Sequence, residues 1–461
     1  MPRGHRTRRD ATGTAPSANG TRRLEPADRP CGASVRPSRS GGAAASVGTV
    51  RAHLPDRLAI TLWDFSWYTR AGTGEPYADL DLAMREAVDR GYNAVRICAA
   101  PMHLAASGDG ALPPRLGISG LGARDGGFYG DATRWYDVRG GFAIDLRDRL
   151  LRLFDAAARH EVVVILSSWE YQQSAAFAAD PDWWRYLAGV PHDERLHALA
   201  DATGDLLDAL EAAGHLERVA FVELHNEVDF SGTPSAAEAV DDALEALTLR
   251  HPTVPATVSY GKPPHLDLAG LPSRLAVGQF HVYAYGVLEA LQDRIDVRET
   301  GSAGFPNSEL RALLREDAPS FAEYGRPEAW RLEATVITDQ MLYTYDCIDP
   351  RRWDLWLYDH YGDYRELMHR EIRSRVQAIG AWSRRRDVPF VIGEGWVGYT
   401  PLHARFEDGP VGTDLAETGL RAAAAEGAWG AVPTSNAAPH HPMWADTAWQ
   451  RRANAIILGR A

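Results

Sequence analysis

Arg218-Val219-Ala220-Phe221-Val222-Glu223-Leu224-His225-Asn226-Glu227-Val228-Asp229-Phe230 is the stretch whose reading decides the fold. Val219 to Val222 is a continuous apolar run, as expected of a strand buried on both faces in a parallel sheet. The polarity then changes, with Glu223, His225, Asn226 and Glu227 following closely. Buried parallel strands keep their chemistry at their C-terminal ends, where loops open to solvent. A carboxylic acid placed there, beside an amide, is a candidate proton donor, and it needs a partner.

Glu394 is the candidate partner. It sits in Pro389-Phe390-Val391-Ile392-Gly393-Glu394-Gly395-Trp396, a second short apolar strand ending in a carboxylate. Two glutamates at the ends of two buried strands suggest glycoside hydrolysis, with one as acid/base and the other as nucleophile. Two other acids compete. Glu223 lies four residues before Glu227 on the same side of the strand but deeper, where it can pair with an arginine. Glu170 follows another strand, Val162–Leu166.

Outward from these stretches, short apolar runs alternate with helical patterns. Strands are expected at 58–62, 93–98, 162–166, 219–222, 256–260, 276–283, 389–394 and 428–432. Helices are expected at about 78–90, 145–159, 193–213, 234–249, 363–384, 414–426 and 446–457, the fourth capped by Thr233 or Ser235. Eight strands alternating with helices indicate an α/β barrel. Residues 99–141 are glycine-rich and read as loop. Arg96 sits inside an apolar strand, and a buried arginine requires a carboxylate or a ligand. His281 and Tyr283 alternate to one face of the sixth strand. Residues 286 to about 362 are too long for a simple connection. They carry Trp330, Tyr343, Tyr345, Trp353, Trp356, Tyr358 and Tyr361, which suit either a sugar platform or a small core of the insertion itself.

With these residues in view, the chain resembles the cellulase-like, family 5-type glycoside hydrolases, members of a clan built on (β/α)8 barrels. In that clan an Asn-Glu pair ends strand four and carries the acid/base, and a glutamate ending strand seven is the nucleophile. Asn226-Glu227 and Glu394 match in type, order and strand context, although Val228 stands where the clan often has proline. The resemblance implies a TIM barrel over residues 55–461 with a long insertion after strand six. It also implies a retaining β-glycosidase that needs no cofactor or metal. It places Arg96 beneath the nucleophile, Tyr283 in a hydrogen bond to it, His281 along the sugar subsite and Asn226 on the sugar 2-OH. A tryptophan after strand eight would floor the subsite, and Trp444 is the candidate. Trp63, Trp169 and Trp396, beside strands one, three and seven, are further candidate sugar contacts. Many relatives carry a histidine near the end of strand three, where Trp169 and Glu170 stand here.

Composition narrows the alternatives. The net charge of −13 argues against nucleic acid as a partner and leaves a neutral carbohydrate substrate open. Cys31, Cys98 and Cys347 show neither a disulfide framework nor zinc spacing. No apolar stretch is long enough to span a membrane. Residues 1–54, rich in Arg, Gly and Ser, are expected to form a disordered basic arm without a secretory signal, which makes a cytoplasmic location the expectation. The sequence carries no indication of oligomeric state. A non-catalytic sugar-binding barrel is the main alternative function. A metal hydrolase using His225, His281, His440 and His441 is a weaker one, because no His-x-His or His-x-x-x-His pair ends a strand. There is no Gly-x-Ser-x-Gly elbow and no phosphate-binding glycine loop.

Overall fold

The structure, a computed structural model, describes residues 53–261, 268–298, 304–398 and 400–460. The expected disordered arm falls outside these residues but for its last two. The barrel is built from parallel strands only. The first four are Leu58–Asp64, Ala94–Cys98, Val163–Ser167 and Val219–Glu223. The sixth, seventh and eighth are Gly278–Tyr283, Phe390–Trp396 and Gly430–Ala431. The fifth comes in two pieces, Ala256–Thr257 paired with the fourth strand and Ser259–Tyr260 paired with the sixth. Neighbours in the sequence are neighbours in space, and the eighth strand returns to the first through Leu58 opposite Gly430. A Cβ at position 430 would lie 2.7 Å from the Leu58 Cβ, so the closing seam requires glycine. The strands read as near-continuous apolar runs because the helix layer covers their outer face while side chains fill the barrel.

The helices follow the expected alternation. The Asp79 carboxylate accepts from the backbone N–H groups of Asp81 and Leu82 and starts Leu80–Asp89; Gly91, at φ +87°, follows its end in the left-handed region. Asp145 caps Leu146–Arg159 in the same way. The helix after strand four differs from expectation: it runs Ala237–Arg250 after Ala236, and neither Thr233 nor Ser235 caps it.

One loop reading is corrected, and the insertion, expected to be partly helical, ends earlier than expected. Residues 99–141 are more than loop, containing the helix Pro101–Gly108 and the strand Arg115–Ile118, which pairs antiparallel with Phe142–Asp145. The insertion after strand six carries short helices joined by loops, from Val287–Arg294 to Asp339–Cys347, and ends at Asp349 rather than near 362. From there a single helix, Pro350–Arg386, absorbs the expected helix 363–384. The Asp349 carboxylate accepts from the N–H groups of Arg351 and Arg352, and Pro350 suits the first helical turn. The insertion's aromatics form a core of their own. Phe305, Phe321, Tyr324 and Tyr343 meet edge to face at 4.9–5.8 Å, and Tyr345 packs on Trp353. The buried Asp346 carboxylate ties the insertion to the 129–133 loop. It accepts from the backbone of Gly130 and Ala132, from the Thr133 hydroxyl and from Tyr324.

Candidate active site

The ends of the second, fourth, sixth and seventh strands bring Arg96, Asn226, Glu227, His281, Tyr283 and Glu394 together. Arg96, fully buried, is the hub. Its Nε and Nη2 donate to the two oxygens of Glu223, each at 2.8 Å, and Nη1 donates to Glu394 Oε1 at 2.9 Å. Nη2 also donates to Asn226 Oδ1 at 2.5 Å, and the guanidinium stands 4.6 Å over the Trp169 ring. Glu223 therefore takes the structural part. It lies a layer below, receives a further 2.8 Å hydrogen bond from Gln279 Nε2, and is wholly enclosed. Gly393 makes room for that glutamine, since a Cβ there would lie 2.7 Å from Gln279 Nε2.

Glu394 keeps 12% of its side chain exposed. Burial alone would raise its proton affinity. The positive charges of His281 and Arg96, with hydrogen bonds from Arg96 and from Tyr283 Oη at 2.8 Å, outweigh burial and hold the carboxyl below the ordinary glutamate range. Tyr283 Oη also lies 2.9 Å from Ser435 Oγ, and burial with the charges of Glu394 and Glu227 keeps that phenol protonated.

Glu227 is 17% exposed and adopts φ +46°, a backbone conformation that costs a residue with a side chain about 1–3 kcal/mol. The Ser259 hydroxyl accepts its backbone N–H at 2.8 Å and helps hold the turn. Oε1 lies 2.8 Å from His281 Nδ1, and Oε2 accepts from Gln172 Nε2 at 2.9 Å. Gly261 leaves the carboxylate its space, because a Cβ there would stand 2.5 Å from Oε1. Burial lowers the affinity of His281 for a proton. The charge of Glu394 and its contact with Glu227 more than restore it, so the affinity of the imidazole for a proton is raised above the ordinary histidine value. His281 Nδ1 is 3.7 Å from Glu394, and a carboxylate oxygen of Glu227 lies within 4.8 Å of one on Glu394.

Other expected residues fall elsewhere. Trp63 is fully buried and meets Tyr77 edge-on at 5.2 Å. Trp396 turns to the helix layer, against Gly419 of the helix Pro410–Ala425, where a Cβ would stand 2.3 Å from its ring. Trp444 stacks on Tyr92, lies under Arg90 and donates to Glu86, at the end of the barrel where strand two begins. The loop after strand eight instead brings Ser435 to the site. Glu170, the rival acid, is enclosed. It accepts from the backbone of Met102 and His103, from Ser168 and from Trp183, and burial pushes its pKa up to about 7. The four histidines weighed for a metal do not converge among the described residues. His225 takes a hydrogen bond from the Tyr171 N–H, and burial lowers its pKa to about 4. The His440 and His441 rings lie 4.0 Å apart, tilted by 43°.

Sequence reasoning missed two groups. Gln172 carries no motif and comes to Glu227 only because the end of strand three turns beside strand four. Arg134, in the glycine-rich loop, is fully buried against Asp408 at 2.8 Å and Glu407 at 3.8 Å. Asn436 joins this cluster by donating to Asp408 at 3.3 Å.

The chain was compared with known proteins. A family described as sugar-binding cellulase-like matches residues 60–262 and 318–458, so the first part of the insertion lies outside the match. No curated protein matches. Among solved structures, a Parabacteroides distasonis protein assigned provisionally to the glycoside hydrolases superposes with a TM-score of 0.59 at 19% identity, over 88% of this chain and 94% of that one. A glycoside hydrolase family 5 mannosidase from Rhizomucor miehei gives 0.46 at 11% identity, over 91% and 97%. An endo-1,4-β-D-mannanase from Thermotoga petrophila gives 0.41 at 12%, over 82% and 87%. At such identities the likeness is one of fold.

Proposed function

The chain belongs to the sugar-binding cellulase-like family, and we propose that it is a retaining hydrolase of β-linked oligo- or polysaccharides. This reading rests on the pair Glu227 and Glu394, with oxygens within 4.8 Å of each other at the mouth of a charged barrel floor. Carboxyl groups about 5–5.5 Å apart suit a covalent glycosyl-enzyme, whereas inversion needs about 6.5–9.5 Å to admit a water. Glu394, kept ionised by His281 and Arg96, attacks the anomeric carbon as Glu227 protonates the departing oxygen. Glu227 then takes a proton from water, which attacks the same carbon and releases Glu394. Asn226 supplies the amide for the sugar 2-OH, and Trp169, packed under Arg96, supports the floor.

A second reading, sugar binding without turnover, is favoured by one feature. Both oxygens of Glu227 are engaged by neighbours, Gln172 and His281. Turnover of aryl β-glucoside, mannoside, galactoside and xyloside by the parent, Glu227→Gln and Glu394→Gln separates the two. Hydrolysis in the parent that falls by orders of magnitude in Glu394→Gln supports the enzyme. Sugar binding by calorimetry with no hydrolysis in any form supports the binding protein, and activity that survives both substitutions rejects these carboxylates.

A further inference from the structure

The two glutamates are oriented from one guanidinium by a chain of hydrogen bonds with a fixed direction. Arg96 Nη1 donates to Glu394 directly. On the other side Arg96 Nη2 donates to Asn226 Oδ1, Asn226 Nδ2 donates to Gln172 Oε1 at 2.7 Å, and Gln172 Nε2 donates to Glu227 Oε2 at 2.9 Å. An amide's two ends are hard to tell apart by shape, but arginine offers donors and no acceptor. It therefore forces the oxygen of Asn226 toward itself. The nitrogen of Asn226 must then meet the oxygen of Gln172, which leaves the nitrogen of Gln172 to face Glu227. Turning either amide would set donor against donor and acceptor against acceptor in a buried space, which costs about 1–3 kcal/mol per unsatisfied group. Gln172 is itself placed by the backbone. Its N–H donates to Trp169 O at 3.0 Å, and the Asn226 N–H donates to Ser168 O at 2.8 Å, fastening the end of strand three to that of strand four.

We infer that Gln172 is a positioning residue that aims the Glu227 carboxyl, and that Arg96 sets the spacing of both carboxylates, one directly and one through the two amides. The inference rests on the reading of Glu227 as acid/base. Gln172 acts through Glu227, holding Oε2 while His281 holds Oε1.

Two variants separate aiming from packing. Gln172→Met keeps the volume and loses both bonds. Gln172→Glu keeps the shape and the acceptor for Asn226 but puts a carboxylate where Glu227 needs a donor. Each would be assayed, with its melting temperature recorded, on a 2,4-dinitrophenyl glycoside, whose departure needs little protonation, and on an alkyl glycoside, which needs a general acid. Both variants are expected to lose about tenfold to a hundredfold in kcat/KM on the alkyl glycoside and less than about threefold in kcat/KM on the dinitrophenyl one, because kcat/KM reports the first step, in which Glu227 is the acid. In a Glu227→Gln background Gln172→Met is expected to add no further loss. Equal losses on the two leaving groups, full retention by Gln172→Glu, or additive losses in the double variant would overturn the inference. Crystal structures of parent and Gln172→Met decide it even without turnover. If the parent hydrolyses nothing, the enzymatic reading fails, yet a Glu227 carboxyl that leaves His281 in the variant upholds the positioning role. One that stays in place overturns it.

Discussion

Two buried arginines each face two carboxylates, and they resolve the same electrostatic problem differently. Arg96 stands on strand two and meets Glu223 and Glu394 from strands four and seven. Arg134 lies in a loop and meets Asp408 and Glu407 from the loop after strand seven. Around Arg96 a second basic group, His281, stands beside Glu394, and Glu394 is driven below the ordinary glutamate range. Around Arg134 burial dominates. Arg134 opposes it, Asp408 reinforces it, and the Glu407 pKa rises to about 8. The nearby His441 supplies no charge, because burial and the positive field of His440, Arg134 and Arg70 hold it neutral. Arg134 alone leaves the buried Glu407 its proton, whereas Arg96 and His281, shared among Glu223, Glu227 and Glu394, together hold the Glu394 carboxyl below the ordinary range. The first can hold loops together; only the second suits attack on a sugar.

The comparison can be broken most directly by removing each arginine. Arg96→Met strands Glu223 and Glu394 in the barrel and is expected to cost about 3–5 kcal/mol in denaturant unfolding, with turnover lost. Arg134→Met should cost less, because Glu407 is already uncharged at neutral pH and only the Asp408 carboxylate loses its partner. Equal costs at pH 7 would end the distinction between the two clusters.

A finer test follows from Glu407. Between the ordinary glutamate range and about pH 8 its carboxyl is protonated in the folded chain and ionised in the unfolded one. The folded state then binds more protons, so its stability falls as pH rises through this window, by at most about 1.4 kcal/mol per unit from this group. Unfolding midpoints of the parent and Glu407→Gln at pH 5.5, 6.5 and 7.5 measure it: the variant should lose much of the slope, and parallel curves would refute the assignment. The smallest effect concerns Trp444. Trp444→Phe removes its hydrogen bond to Glu86 and should cost about 1 kcal/mol while leaving sugar preference unchanged. A changed ranking of glycosides would return Trp444 to the sugar site.

The parts of the candidate site that were legible are those tied to strand periodicity. Glu227 and Glu394 end apolar runs, Arg96 interrupts one, and His281 and Tyr283 share a face. Each of these signals is local. The tryptophans were harder to place, because a strand covered on both faces lacks the alternation that would tell inside from outside. Trp396, two residues after Glu394, turns to the helix layer on Gly419. Trp444 was placed by its distance along the chain from strand eight, but the loop carries it past the site to Tyr92 and Arg90. Gln172 was invisible for a different reason. Its importance lies in being the second amide in a chain that starts at Arg96, 76 positions earlier in the sequence.

By itself, the sequence determined the alternation of strands and helices, the order of the charged strand ends and the presence of a buried arginine in need of acids. These follow from burial patterns and from the cost of hiding charge, which act along the chain. The tertiary structure alone decided which acid each arginine holds, the split of the fifth strand at Val258, and the helix into which the insertion runs. It also decided which rings face the site. Those outcomes depend on distances between segments far apart in the chain, where a hydrogen bond is made or lost over a few tenths of an ångström.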